Sequence, residues 1–198
     1  MFRALADEPD PARYIPVVVP WIHEAGNPYF DAFFGSHDAA HRALQRWMAR
    51  PSSEVAITRV TLLCERGRSA GCFVALSGTE LASCLRADSF AALREAGPEG
   101  RRALLERARG LAAARVPVPE NAYFLSKLAV AADLRGAGLG RALLEEFLAA
   151  GRRRGFRVFR TDARPEDAHI MHLYESAGFR TTALSATGVL AMALADGG

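Results

Sequence analysis

The chain carries a single lysine, Lys127, among 25 basic residues, and only three cysteines in 198 positions. Its apolar runs all fall short of the ~20 residues that a membrane-spanning helix requires. The opening "MFRALADEPDPARY" has acids and prolines where a secretory signal needs an unbroken apolar core. A cytoplasmic protein with no membrane partner is therefore expected. Three cysteines without C-x-x-C spacing exclude a disulfide framework and a zinc ribbon, leaving reduced structural thiols. Cys64 and Cys72 flank a turn and could face each other across two strands. The net charge of +3 is too small to imply nucleic acid. The main basic cluster, Arg152 to Arg154, falls where a helix should end, and cations are favoured there by the dipole. There is no internal repeat and no low-complexity linker.

What is present fits one domain over 1–198 with a substantial core, since 50% of residues are hydrophobic and 24% charged. "YIPVVVPWI" is apolar, but Pro16 and Pro20 keep it from being an inner strand. A Gly/Pro-punctuated aromatic segment, "HEAGNPYFDAFFGS", follows. "HDAAHRALQRWMAR" reads as a helix capped by Ser36, with Ala40, Leu44, Trp47 and Met48 on one face and Pro51 as its stop. "VAITRVTLLCERGRSAGCFVALSG" reads as an antiparallel hairpin turning in "ERGRSAG". A helical section then runs from Asp88 to Arg115 in two pieces broken at "AGPEG".

The second half has a clearer order. "AYFLSKLAV" is a strand, and Leu139 to Arg154 is a helix whose Leu139, Leu143 and Phe147 repeat every four residues, flanked by Leu144 and Leu148. Gly155 closes it. "FRVFRTDA" is a strand and "EDAHIMHLYESA" a helix with Ile170, Leu173 and Ala177 on one face, closed by Gly178. "FRTTALSATGVLAMAL" is a final strand pair turning near Thr187 and Gly188. The pattern β–α–β–α–β–β implies a parallel strand pair joined by a right-handed crossover. The fold class is mixed α/β, with helices on both faces of the sheet.

Between strand and helix lies "RGAGLGR". The first turn of a helix leaves backbone N–H groups without intrahelical partners, and the dipole adds to their pull on an anion. Gly136, Gly138 and Gly140 clear side chains from those amides and permit positive φ, while Arg135 and Arg141 place charge at the rim. Phosphate binding by main-chain amides is the expectation, against a glycine-rich turn of purely structural use. A Walker loop is excluded for want of its Lys and Ser/Thr. The dinucleotide fingerprint G-x-G-x-x-G fails at Arg141 counted from Gly136, and at Leu143 counted from Gly138. Asp162 alone supports a nucleotide-dependent oxidoreductase only weakly.

The run "LAVAADLRGAGLGRALLEEFLAAGRRRGF" resembles the acetyl-coenzyme A signature of the GNAT superfamily of N-acetyltransferases, with Arg135, Gly138 and Gly140 matching its R/Q-x-x-G-x-G/A loop. "DAHIMHLYESAGF" is similar to the superfamily's later motif through Leu173, Tyr174, Glu175, Gly178 and Phe179. The two motifs cover about residues 123–182, and the cofactor-binding half is placed at about 121–198. The resemblance implies a mostly antiparallel sheet whose central parallel pair splays to admit acetyl-CoA. It implies pyrophosphate on the amides of Arg135, Gly136, Ala137, Gly138, Leu139, Gly140 and Arg141. The pantetheine arm would lie along Leu128, Ala129 and Val130, and an N–H near Leu128 would polarise the thioester carbonyl. Tyr174 matches the tyrosine that in many relatives protonates the departing thiolate; a phenol with pKa near 10 holds that proton at neutral pH.

The sequence departs from the superfamily pattern in three places. Asp167 stands where relatives often carry a cofactor-contacting Asn, and a carboxylate cannot donate as an amide does. Ala137 replaces a frequent Lys or Arg. The helical insertion around 85–115 exceeds the usual short connection, and would cover the acceptor site or form a subunit contact in a homodimer. The acceptor implied is a small-molecule or peptide amine, which needs a base before it attacks. The strand position where a base sometimes sits in relatives falls near Ser126 and Lys127, and neither is a carboxylate; the candidates are His23, Glu24 and Asp31. The aromatic cluster Trp21, Tyr29, Phe30, Phe33 and Phe34 is either an acceptor wall or core. His37/His41 and His169/His172 have helical spacing but no evident third ligand, so no metal is expected. The competing functional reading is a non-catalytic CoA-binding module on the same fold.

Overall fold

The computed structural model describes residues 1–112 and 116–195. Its strands are β1 (Phe2–Ala4), β2 (Val60–Glu65), β3 (Arg68–Ser77), β4 (Ala122–Val130), β5 (Val158–Ala163), β6 (Arg180–Leu184) and β7 (Leu190–Ala195). They form one seven-stranded sheet in the order β1-β2-β3-β4-β5-β7-β6. Among the described residues β4 and β5 are the one parallel pair, and the other neighbours run antiparallel. The helices are α1 (Ile15–Ala25), α2 (Tyr29–Phe34), α3 (His37–Met48), α4 (Gly78–Glu95), α5 (Gly97–Ala112), α6 (Leu139–Arg153) and α7 (Ala168–Ser176). The order β4–α6–β5–α7–β6–β7 is the one read from the sequence.

Strand alternation sends side chains to two cores. Cys72 and Val74 of β3 pack with Val18, Val19, Ile22, Leu44 and Met48 from α1 and α3. Phe73 and Ala75 of the same strand pack with Leu143, Leu144 and Phe147 from α6. The aromatic segment belongs mainly to the first core: Phe30 and Phe33 are buried there, and Trp21, Tyr29 and Phe34 lean against it.

Several elements differ from the sequence reading. The prolines at 16 and 20 sit in a helix, α1. Pro16 occupies the first turn, where its missing N–H costs nothing, and Pro20 lies on the exposed side while Val18, Val19 and Ile22 are buried. Strand β1 carries no sequence signal. It is held by pairing with β2 and by Cys64 N–H donating to Met1 O at 2.9 Å. Cys64 and Cys72 do not face each other. A bulge between Leu63 and Cys64 sets Cys64 opposite Ser69, and Cys72 lies opposite Leu62. Burial pushes the Cys72 thiol up to about 12, which leaves it inert as a nucleophile.

The helical insertion begins at Gly78, well before the helical pattern does. Ser77 Oγ accepts from Glu80 N–H at 3.1 Å, and a Glu80 carboxylate oxygen accepts from Ser77 N–H at 2.8 Å, a reciprocal cap. The expected break appears at Ala96, and the stretch 113–115 lies outside the described residues. The insertion packs on α2 and α3. Glu95 pairs with Arg46 at 2.9 Å and Arg50 at 3.0 Å, Arg107 donates to Phe33 O at 2.9 Å, and Leu104 is buried in the first core.

Asp88 of α4 is buried and held by three donors: it accepts from Glu54 N–H at 2.9 Å, Ser53 Oγ at 3.2 Å and Arg50 at 3.2 Å. Burial outweighs these donors and pushes its carboxyl up to about 6. The native state therefore holds this proton more tightly than the unfolded chain. Asp88 contributes stability that is complete below about pH 4 and is lost as pH rises through about 6. Denaturant titrations across that window should show stability falling with pH on account of this group. Asp88→Asn should flatten the slope.

Candidate active site

The parallel ladder between β4 and β5 runs from Ala122↔Val158 to Leu125↔Thr161. Past that rung β4 continues to Val130 beside β3, while β5 continues to Ala163 beside β7. The sheet opens into a fork there. At the same point β4 bulges: Ala75 pairs with Leu125 and Val74 with Lys127, leaving Ser126 as the extra residue.

Beyond the bulge one edge of β4 faces the gap. Ala131 N–H donates to Ala70 O on β3, so by alternation the main-chain groups of Leu128 and Val130 point away from β3. Val130 O is met there by Arg135 Nε at 3.2 Å. Ala129, by contrast, turns its main chain to β3 and its side chain to the first core. Thus Leu128 and Val130 turn their main chain to this edge, the Val130 carbonyl being bonded to Arg135, and Ala129 does not.

The glycine loop lies at the mouth of the fork, ahead of α6. Gly136 has φ +80° and Gly138 φ +79°, and a Cβ at either would meet nothing within 4 Å. That backbone region is costly for any residue bearing a Cβ. Gly138 is the N-cap of α6 and offers no side-chain cap, so the amides of Leu139, Gly140 and Arg141 begin the helix bare of one. Gly140 differs from the expectation. It sits inside the helix without positive φ, and a Cβ there would make only an ordinary 3.6 Å contact with Leu173. Ala137 adds no cation. The two rim arginines already have partners: Arg135 bonds Glu24 of α1 at 2.7 Å, and Arg141 bonds Glu145 at 3.0 Å. Both pairs are exposed and weak enough to exchange for phosphate oxygens. This bare, uncapped cradle has the donor set and the clearance that a diphosphate needs.

Tyr174 points into the fork from α7. It is 4% exposed and neighbours Thr161, whose Oγ1 donates to Leu125 O at 3.2 Å. The phenol thus stands at the last rung of the ladder. Burial pushes it up to about 12, so its proton is present throughout the neutral range. Asp167 caps α7 instead of standing free: its carboxylate accepts from Ile170 N–H at 3.1 Å. This is work that an Asn does equally well.

A carboxylate that the sequence reading missed lies on the other side of the fork. Glu54, in the loop before β2, is 7% exposed and accepts from Ser126 Oγ at 2.5 Å. Lys127 Nζ approaches the same oxygen at 3.4 Å and donates to Ser126 Oγ at 2.9 Å. The only lysine of the chain is therefore the counter-charge of this acid. Nothing periodic marks Glu54 in sequence; "PSSE" after a helix stop reads as loop. The signal that existed was indirect, a lysine and a serine set in an otherwise apolar strand. Of the base candidates weighed from sequence, His23 and Asp31 are engaged with each other at 2.6 Å, and Glu24 is taken by Arg135.

Residues 31–179 match the Acetyltransferase (GNAT) family. The chain belongs to this family. Its acetyltransferase character and its use of a coenzyme A thioester as acyl donor follow from that membership. Among solved structures, an N-acetyltransferase from Staphylococcus aureus Mu50 has a TM-score of 0.67 at 15% identity, covering 98% of each chain. PaiA N-acetyltransferase from Thermoplasma acidophilum, solved with coenzyme A, has a TM-score of 0.59 at 10% identity over 99% of this chain and 98% of its own. An agmatine N-acetyltransferase has a TM-score of 0.56 at 18% identity over 99% of both. At these identities the likeness is one of fold. No curated protein matches the sequence significantly. No helix of the described residues is long and apolar enough to cross a membrane.

Proposed function

We propose that this GNAT chain transfers an acetyl group from acetyl-CoA to an amine, by direct attack within a ternary complex. One observation supports the reading: a buried phenol, Tyr174, neighbours the last rung of the β4–β5 ladder, and Ser126 at the β4 bulge is hydrogen-bonded to the buried Glu54. Bound acetyl-CoA supplies an activated acyl group and a thiolate leaving group. The chain does the rest. The bare amides at the start of α6 and the glycines before it hold the diphosphate. The open edge at Leu128 and Val130 aligns the pantetheine arm, with Leu128 N–H as the donor to the thioester oxygen. Ser126 receives a proton from the incoming ammonium and relays it to Glu54, whose charge Lys127 balances. The Tyr174 hydroxyl meets the departing sulfur. The acceptor is a small-molecule or peptide amine.

Thiol release from acetyl-CoA with a broad panel of amines tests this reading. Turnover with at least one amine is expected. Saturable coenzyme binding with no turnover across the panel would favour the non-catalytic CoA-binding module instead. Gly138→Val gives the binding half its own check. Gly138 lies in the left-handed region. A β-branched residue there costs on the order of 1–2 kcal/mol, and relief of that strain distorts the cradle. The coenzyme dissociation constant should rise about 10-fold, since about 1.4 kcal/mol corresponds to that factor.

A further inference from the structure

Two of the chain's five histidines, His23 and His37, meet one aspartate, and a third, His41, lies beside His23. His23 comes from the last turn of α1, Asp31 from α2, His37 from the first position of α3, and His41 one turn further along α3. The two Asp31 oxygens are divided between two imidazoles: His23 Nε2 lies 2.6 Å from Oδ1 and His37 Nδ1 lies 3.6 Å from Oδ2. The His23 and His37 rings are 4.3 Å apart, and the His41 ring is 5.9 Å from that of His23. One ligand atom each from His23, Asp31 and His37 falls within a 4.8 Å set.

We infer that His23, Asp31 and His37 form a site for a zinc-type divalent transition metal, with His41 or water completing the coordination. Several features point to an ion instead of a hydrogen bond alone. A buried histidine is satisfied by a single hydrogen-bond partner, and His23 already has Asp31. That pairing gives no reason for His37 to approach the same carboxylate. Histidines at i and i+4 present both rings on one helix face, a common way for a helix to offer two ligands. The donor set of imidazoles plus one carboxylate suits zinc and its neighbours over magnesium or calcium, which prefer oxygen shells.

The geometry is close to what such an ion requires. Tetrahedral bonds of about 2.0–2.2 Å put ligand atoms roughly 3.3–3.6 Å apart. Against that spacing a set spread over 4.8 Å needs to contract by about 1.2–1.5 Å. The side chain that must move, His37, is 68% exposed and free to swing, while His23 is buried and already aimed at the centre. The site uses none of the residues proposed for acyl transfer. Phe30 meets His23 edge-on at 6.5 Å between ring centroids, and Lys127 of the fork contacts that same phenylalanine ring. An ion here would tie α1, α2 and α3 together and so fix the helices that flank β4.

The test uses the untagged full chain, stripped with chelator and titrated with zinc ion by calorimetry, with thermal unfolding followed in parallel. Binding of one zinc per chain and a raised Tm are expected, with no Tm shift from magnesium at the same concentration. His37→Ala, an exposed substitution that leaves the core intact, should weaken zinc binding by at least about 10-fold and abolish the Tm shift. A His169→Ala/His172→Ala double variant should bind as the parent does. The inference is overturned if zinc does not bind saturably, if His37→Ala binds equally well, or if the double variant is the one that loses the ion.

Discussion

Tyr174→Phe lowers kcat by about 10²–10⁴-fold, the usual worth of a positioned proton donor, while coenzyme affinity stays within a few-fold of the parent. The expectation rests on three observations together. The phenol stands at the last rung of the parallel ladder, beside Thr161; it is buried; and that burial pushes it up to about 12. A group so placed does not lose its proton to water at neutral pH, yet it can give a hydrogen bond to a sulfur that acquires charge. Phenylalanine keeps the ring and its packing against Phe179 and deletes only the hydroxyl. Folding stability should then fall by only about 1 kcal/mol, the net value of one hydrogen bond. Single-turnover thiol release and coenzyme titration on the same preparation separate the two effects. A variant with unchanged kcat would reduce Tyr174 to a packing residue.

Glu54→Gln is expected to lower kcat/KM by about 10²-fold near neutral pH. The substitution preserves shape and the ability to accept from Ser126 but removes the capacity to take up a proton. Its signature is a pH dependence. An aliphatic amine with a pKa of about 10.4 becomes about ten times more abundant in its neutral form with each unit of pH gained below that value. The need for a base shrinks accordingly, so the ratio of parent to variant should narrow as pH rises from about 7 to 9. Damage to structure would leave that ratio constant. Some loss of stability will accompany the change, because the half-buried Lys127 is left without its counter-charge. The narrowing ratio, and not the size of the defect, is the diagnostic.

The contrast between these two residues shows which parts of the molecule were legible in sequence. Tyr174 stands in a local motif that resembles the GNAT pattern, Leu173, Tyr174, Glu175, Gly178 and Phe179, and the resemblance, not the helix periodicity, singles it out. The glycine loop is equally local, since uncapped amides and positive φ are properties of a few consecutive residues. The β–α–β–α–β–β order follows from the same short-range signals. Glu54 has no such marker. Its role arises because β4 bulges at Ser126 and brings that hydroxyl to a loop 72 residues away in sequence. Strand β1 and the helical state of the proline-bearing segment 15–25 are hidden for the same reason. Both are decided by what packs against them, namely β2 in one case and the apolar face of β3 and β4 in the other. The start of α4 was a different kind of miss. The Ser77–Glu80 cap is present in the letters "SGTE", but strand propensity before it masks the boundary.

The contact between Asp88 and the backbone of Glu54 has an implication for how this chain could diversify. The helical pair between β3 and β4 is the kind of excursion from a sheet that tolerates trimming or replacement. Here it reaches inward and holds the peptide N–H of Glu54, the residue proposed as proton acceptor. Shortening α4 would therefore not merely remove a surface appendage; it would release the loop on which the acceptor is mounted. On the proposed role of Glu54, change in that segment bears on turnover through the buried Asp88 carboxylate.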